Sequence, residues 1–83
     1  MKYVISFIGT GNMASALAAA ACKSIASDRI IVANRSLEKA KSLAERLRCR
    51  LASSNQEAAR DANFVVLAVK PQDIHKVAKE ISP

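Results

Sequence analysis

Both glycines of the 83-residue sequence fall within one short stretch, Gly9-Thr10-Gly11-Asn12-Met13-Ala14. The spacing is G-x-G-x-x-A, and each fixed position has a physical job in holding a diphosphate. Gly9 permits a tight turn. Gly11 lacks a Cβ, so a pyrophosphate can approach the main chain, and Ala14 is small enough for a helix to pack closely on a sheet. The first N–H groups of that helix have no partner within it, and with the helix dipole they favour an anion. The apolar run Tyr3 to Ile8 stops at Gly9, which places the glycines in a strand-to-helix turn, the context this spacing requires.

A second constellation is Asn34-Arg35-Ser36. It lies roughly twenty residues past the glycines, where a chain that binds NAD carries an acid for the ribose hydroxyls. No acid is present. A carboxylate there would repel a 2′-phosphate, whereas the Arg35 guanidinium pairs with one and Ser36 can donate a hydrogen bond. The residues therefore favour NADP over NAD, with NADPH as the reduced cofactor. Ser36 also suits the cap of a following helix, and capping and phosphate binding can coexist. The third stretch is Ala68-Val69-Lys70-Pro71-Gln72. Lys70 there can approach a phosphate or ribose while Pro71 fixes the loop, and the same residues read equally as a strand end with a proline-led helix start.

The elements that must position these residues follow from hydrophobic spacing. Tyr3 to Ile8 is apolar on both faces except for Ser6, as in a parallel strand covered on both sides. Asn12 to about Ser24 reads as an Ala-rich helix, and Ile30 to Ala33 as a second buried strand. Leu37, Ala40, Leu43, Ala44 and Leu47 mark the buried stripe of a second helix. A brief strand around Arg50 to Ala52 follows, then a capping box at Ser54-Asn55-Gln56-Glu57 opening a short helix. Phe64 to Val69 is the clearest strand. Pro71 opens a final helix with Ile74, Val77, Ala78 and Ile81 on one face. The alternation βαβαβαβα predicts an α/β, Rossmann-like doubly wound parallel sheet of about four strands with helices on both faces. In the strand order 3-2-1-4 the chain reverses direction between the first and fourth strands, and a ligand crevice opens at their carboxyl ends. The Phe64 strand is expected to be an exposed apolar edge, giving self-association or marginal stability.

Composition sets the bounds. Hydrophobic residues make up 51% and charged residues 24%, which describes a globular domain and excludes a disordered tail. The formal charge of +6 attracts anions, but the cations are scattered apart from Arg46, Arg48 and Arg50, as on a solvated surface. Aromatics at 4% with no Trp remove the stacking platforms of single-stranded nucleic-acid binders, so no nucleic acid is expected as partner. The longest apolar stretch, Met13 to Cys22, falls far short of a membrane span, and the start has no signal-peptide pattern. Cys22 and Cys49 are far apart in sequence, with no C-x-x-C pair and only His75 beside them, so no metal site is expected. Cys22 reads as a small buried thiol within the first helix. Cys49 reads as a bystander, although Arg48 and Arg50 on either side would lower its pKa. Free thiols fit a reducing cytoplasm.

Taken together, Gly9-Thr10-Gly11-Asn12-Met13-Ala14, Asn34-Arg35-Ser36 and Leu67-Ala68-Val69-Lys70-Pro71-Gln72 resemble the amino-terminal domain of the pyrroline-5-carboxylate reductase family. The resemblance spans nearly the whole chain. It implies a domain over residues 1–83 that binds NAD(P)H, commonly NADPH, for the reduction of 1-pyrroline-5-carboxylate to proline. By that resemblance Ile8, Gly9, Thr10, Gly11, Asn12 and Met13 hold the pyrophosphate, and Asn34, Arg35 and Ser36 the adenosine 2′-phosphate end. Asn55 approaches the adenosine ribose, and Ala68, Val69, Lys70 and Pro71 line the nicotinamide side. Cys49 stands where the family usually has a glycine ending the second helix. The family continues into a helical carboxyl-terminal domain that supplies dimer contacts and the pocket for the imine substrate. No catalytic side chain is therefore expected among these residues, and the piece alone is expected to bind dinucleotide weakly and turn over nothing. Two other readings are the cofactor domain of a β-hydroxyacid dehydrogenase, which shares a G-x-G-x-M turn and an Asn-Arg dipeptide, and a non-enzymatic dinucleotide-binding module.

Overall fold

Residues 2–9 and 11–82 are described by the computed structural model. Strand β1 (Tyr3–Ile8) leads into helix α1 (Asn12–Ala21), followed by β2 (Ile30–Ala33), α2 (Leu37–Leu47), β3 (Arg50–Leu51), α3 (Asn55–Arg60), β4 (Ala62–Leu67) and α4 (Ile74–Ile81). Short 3₁₀ turns at Ser27–Arg29 and Pro71–Asp73 precede β2 and α4. The four strands form one sheet in the order β3-β2-β1-β4, every pair parallel, as the alternation predicts.

Side-chain alternation along the strands divides the core in two. Phe7, Ile30 and Val32 face α1 and α2, packing on Ala18, Leu43 and Ala44. Ile8, Ile31 and Ala33 face α3 and α4, packing on Ala58 and Val77. β2 is buried on both sides, with all four residues at most 1% exposed, and burying each isoleucine contributes about 2–3 kcal/mol. Alanines at the helix contacts (Ala14, Ala18 and Ala58, each 0% exposed) let those helices lie close to the sheet. Ser6 pairs with Ile31 and Val65 on the α3/α4 side, and its Oγ is buried with no hydrogen-bond partner among the described residues.

Several boundaries differ from the expectation. The first helix stops at Ala21 rather than near Ser24, because Lys23 and Ser24 donate their N–H groups to Ala20 and Ala21, tightening the chain into turns. β4 runs from Ala62 to Leu67, not Phe64 to Val69, since β1 offers partners only from Tyr3, opposite Ala62, to Ile8, opposite Leu67. It is the sheet's edge as expected, with Phe64 66% exposed. Ile74, expected on the buried stripe of α4, is 41% exposed, whereas Val77 is buried. Ser54 caps α3 by accepting from the Glu57 N–H at 3.1 Å. The return half of the capping box lands one residue early, with the Glu57 carboxylate accepting from the Ser53 hydroxyl at 2.7 Å and its N–H at 3.4 Å. The left-handed residue ending α2 is Arg48 (φ 59°), so no glycine is needed at Cys49. Cys22 lies just beyond α1, half-buried, and its sulfur is 3.8 Å from that of Cys49.

A buried hydroxyl without a partner costs about 1–3 kcal/mol. Ser6→Ala is therefore expected to raise the unfolding free energy by about 1 kcal/mol in urea denaturation. A loss of that size would mean that the hydroxyl is satisfied in solution.

Candidate nucleotide-binding site

The chain reverses direction between β1 and β4, and the sheet's hydrogen bonds carry past the strand ends there. Gly9 donates its N–H to Ala33 O at 2.8 Å, and Ala68 donates to Ile8 O at 2.8 Å. The carboxyl ends of β1, β2 and β4 are thereby tied together. Gly9 sits at φ +105°, a conformation L side chains rarely adopt, and a Cβ built on it would run into the carbonyl of Ala68. Gly11 is different. Its φ is −70°, and a Cβ there would meet nothing within 4 Å. Gly9 is thus required by the protein itself, whereas Gly11 leaves open space beside the main chain.

That space adjoins the start of α1. Gly11 occupies the cap position and can offer no side chain, and the first turn holds no acidic residue. α2 and α3 contrast with it, since Ser36 and Ser54 cap them and Glu38 and Glu57 sit in their first turns. α1 therefore presents N–H groups and a positive dipole end without internal compensation from its cap, the arrangement that binds phosphate.

A cavity of about 370 Å³ opens at this corner. Of the residues expected at a cofactor, Ile8, Gly9, Gly11, Asn34, Arg35, Ser36, Asn55, Ala68, Val69 and Lys70 line it. Asn12, Met13 and Pro71 do not; all three are exposed, Met13 at 74%. Thr10 lies outside the described residues. The cavity wall also includes Lys39, Asp73, Lys76, Val77 and Glu80, which sequence reasoning missed. Lys39 was legible in principle. It stands three positions after Ser36 on α2, and its N–H donates to Ser36 Oγ at 3.4 Å. The residues on α4 carried no signal, because only the folded sheet brings α4 beside the glycine turn.

Four cations (Arg35, Lys39, Lys70 and Lys76) and two carboxylates (Asp73 and Glu80) line the cavity. Arg35 is exposed at its rim. Ser36 Oγ accepts from the backbone and keeps its own hydrogen for donation, so capping leaves the hydroxyl able to bind a phosphate. Asn55 Nδ2 donates to Glu80 Oε2 at 3.1 Å, which leaves the amide oxygen as an acceptor. Among the described residues no group of three His, Cys, Asp or Glu side chains is placed to hold a metal ion, and no helix is long and apolar enough to cross a membrane.

A four-stranded parallel sheet with a glycine turn and a glycine-capped, acid-free helix start at its reversal point defines a Rossmann-type nucleotide-binding domain. The chain belongs to the family described as NADP oxidoreductase, coenzyme F420-dependent, whose sequence profile matches residues 4–83. It is 38% identical over 86 residues to a pyrroline-5-carboxylate reductase of Staphylococcus haemolyticus, covering 100% of this chain and 31% of that protein. Among solved structures, a pyrroline-5-carboxylate reductase from Coxiella burnetii superposes with a TM-score of 0.82 at 36% identity, covering 98% of this chain and 30% of that one. The Plasmodium falciparum pyrroline carboxylate reductase with NADP bound superposes at 0.76 with 29% identity, covering 100% of this chain and 30% of that one. The chain thus spans about 30% of the length of the relatives it matches.

The two glycines separate fold from binding. Gly9→Ala is expected to destabilise the domain by about 3 kcal/mol or more, from the positive φ and the Ala68 clash. Gly11→Ala should leave the melting temperature within a few degrees while weakening dinucleotide binding at least about tenfold. Thermal melts and cofactor titrations on both variants check the contrast, and equal melting losses would contradict it.

Proposed function

We propose that this chain is the NADPH-binding domain of an oxidoreductase of the pyrroline-5-carboxylate reductase type, with residues 1–83 forming its NAD(P)-binding Rossmann domain. The main-chain N–H groups from Gly11 into the first turn of α1 receive the diphosphate. Ile8, Gly9, Thr10, Asn12 and Met13 are assigned to the same phosphate site. Asn34, Arg35 and Ser36, joined by Lys39, hold the adenosine 2′-phosphate, and Asn55 accepts from the ribose. Ala68, Val69, Lys70 and Pro71 border the nicotinamide.

The observation that carries this reading is the pairing of an uncapped, acid-free α1 start with Arg35, Ser36 and Lys39 in one cavity. The first arrangement suits any dinucleotide. The second selects a phosphorylated ribose, because no carboxylate stands at the end of β2 and a guanidinium does. Agreement with named pyrroline-5-carboxylate reductases at 34–38% identity favours this enzyme type over a β-hydroxyacid dehydrogenase.

NADPH held here would supply a hydride, which in a complete enzyme of this type would reduce the C=N carbon of a cyclic imine to give proline. This domain's own residues would bind the phosphates and would border the nicotinamide with Ala68 to Lys70. Substrate contacts and subunit assembly belong to a carboxyl-terminal domain in the relatives' remaining length. The location that fits this metabolism is the cytoplasm.

Arg35→Ala is expected to weaken NADPH binding about tenfold to a hundredfold, as for a lost charge-assisted pair, with NADH binding little changed. Lys39→Ala should show the same selectivity to a smaller extent. Fluorescence titration with both cofactors reads this out, and an unchanged NADPH preference in Arg35→Ala would refute the phosphate role.

A further inference from the structure

The sequence contains two cysteines. They are 27 positions apart, and the fold brings their sulfurs to 3.8 Å. Each is held by a helix end. The Cys22 N–H closes α1 on Ala18 O at 3.0 Å, and the Cys49 N–H closes α2 on Ala44 O at 2.9 Å, directly after the left-handed Arg48. Cys49 immediately precedes β3, and Cys22 follows the helix that runs back from the glycine turn. The pair therefore lies at the amino ends of the strands, opposite the nucleotide cavity, and neither cysteine lines that cavity. Cys49 does line a second, shallow cleft, where Lys41, Arg48 and Arg50 stand with Asp28 and Glu45. Cys49 is half-buried at that cleft, whose three cations against two carboxylates suit an anionic reagent.

We propose that Cys22 and Cys49 form a reversible thiol–disulfide site that takes low-molecular-weight anionic disulfides, with oxidised glutathione as the type reagent. The Cys49 thiolate attacks one glutathione sulfur. A protein–glutathione bond forms, the glutathione disulfide breaks, and the first glutathione leaves as a thiol. Cys22 then attacks the Cys49 sulfur, forming the Cys22–Cys49 bond and expelling the second glutathione. The two protein thiols lose two electrons, the glutathione disulfide gains them, and the two thiol protons end on the released glutathiones. Closing the bond takes a movement of about 1.8 Å, from 3.8 Å to the S–S distance. Burial first, then the hydrogen bond and charge of Cys22, push the Cys49 thiol up to about 12. Cys49 therefore rests as a thiol at neutral pH, and its exchange quickens as the pH rises.

The test exposes the full chain to excess oxidised glutathione at mildly alkaline pH, then alkylates free thiols and measures intact mass and non-reducing peptide maps. The expected product has lost two hydrogens, carries no alkyl group, yields a Cys22–Cys49 linked peptide and returns to two thiols with dithiothreitol. Its thermal midpoint should rise by roughly 10 °C, from the loop closed in the unfolded chain. In Cys22→Ser the reaction should halt at one glutathione on Cys49. Two alkylated cysteines after exposure, a persistent glutathione adduct on the unmodified sequence, or disulfides only between chains would overturn the proposal. A linked pair with an unchanged midpoint would also overturn it, by showing that the bond ties nothing together.

Discussion

The arrangement of this domain depends on how closely the ends of β1 and β4 approach. Gly9 presses against the carbonyl of Ala68 with no room for a Cβ, while its N–H reaches across to β2 and the Ala68 N–H reaches back to β1. Three strand ends are thereby held by hydrogen bonds of 2.8 Å around a residue at positive φ. A larger residue at Gly9 would push β4 away and open the corner from which α1 starts. The strain is acceptable only because glycine has no steric cost at this φ.

Electrostatics then distinguish this corner from the rest of the molecule. α2 and α3 begin with a serine cap and an acidic residue in the first turn, which compensate their own dipoles. α1 begins with glycine, which offers no side-chain cap, and carries no acid in its first turn, so among the described residues its dipole has no such compensation. Across the cavity Arg35, Lys39, Lys70 and Lys76 outnumber Asp73 and Glu80. The general basicity of the chain does not explain this, because most of its cations are spread over the surface. A glycine-capped helix beside clustered cations is a local feature, and it is the one that a phosphorylated dinucleotide would satisfy.

The topology was legible in the sequence because β1 and β2 are nearly continuous apolar runs and the helices repeat at helical spacing. The glycine turn and Asn34-Arg35-Ser36 were legible because both sit at strand ends, where backbone constraint restricts residue type. Lys39 was missed because a lysine on an amphipathic helix reads first as a solvated one, although its place three positions after Ser36 pointed to the same corner. Lys76, Val77 and Glu80 were missed because their proximity to Gly11 depends on the right-handed path that carries α4 back across the sheet. The meeting of Cys22 with Cys49 depends likewise on the packing of α1 beside α2. Flanking Arg48 and Arg50 in the sequence do not by themselves decide the thiol's pKa: in the fold, burial and the neighbouring Cys22 thiol raise that of Cys49.

The most direct test of the account is a backbone NMR titration of the chain with NADPH, with NADH in parallel. Saturable shifts confined to the amides of Gly9 to Ala14, Arg35 to Lys39 and Ala68 to Lys70, reached at lower concentration with NADPH, are the predicted result. Shifts scattered over the surface, no saturation, or equal response to NADH would contradict the assignment of this corner to a phosphorylated dinucleotide.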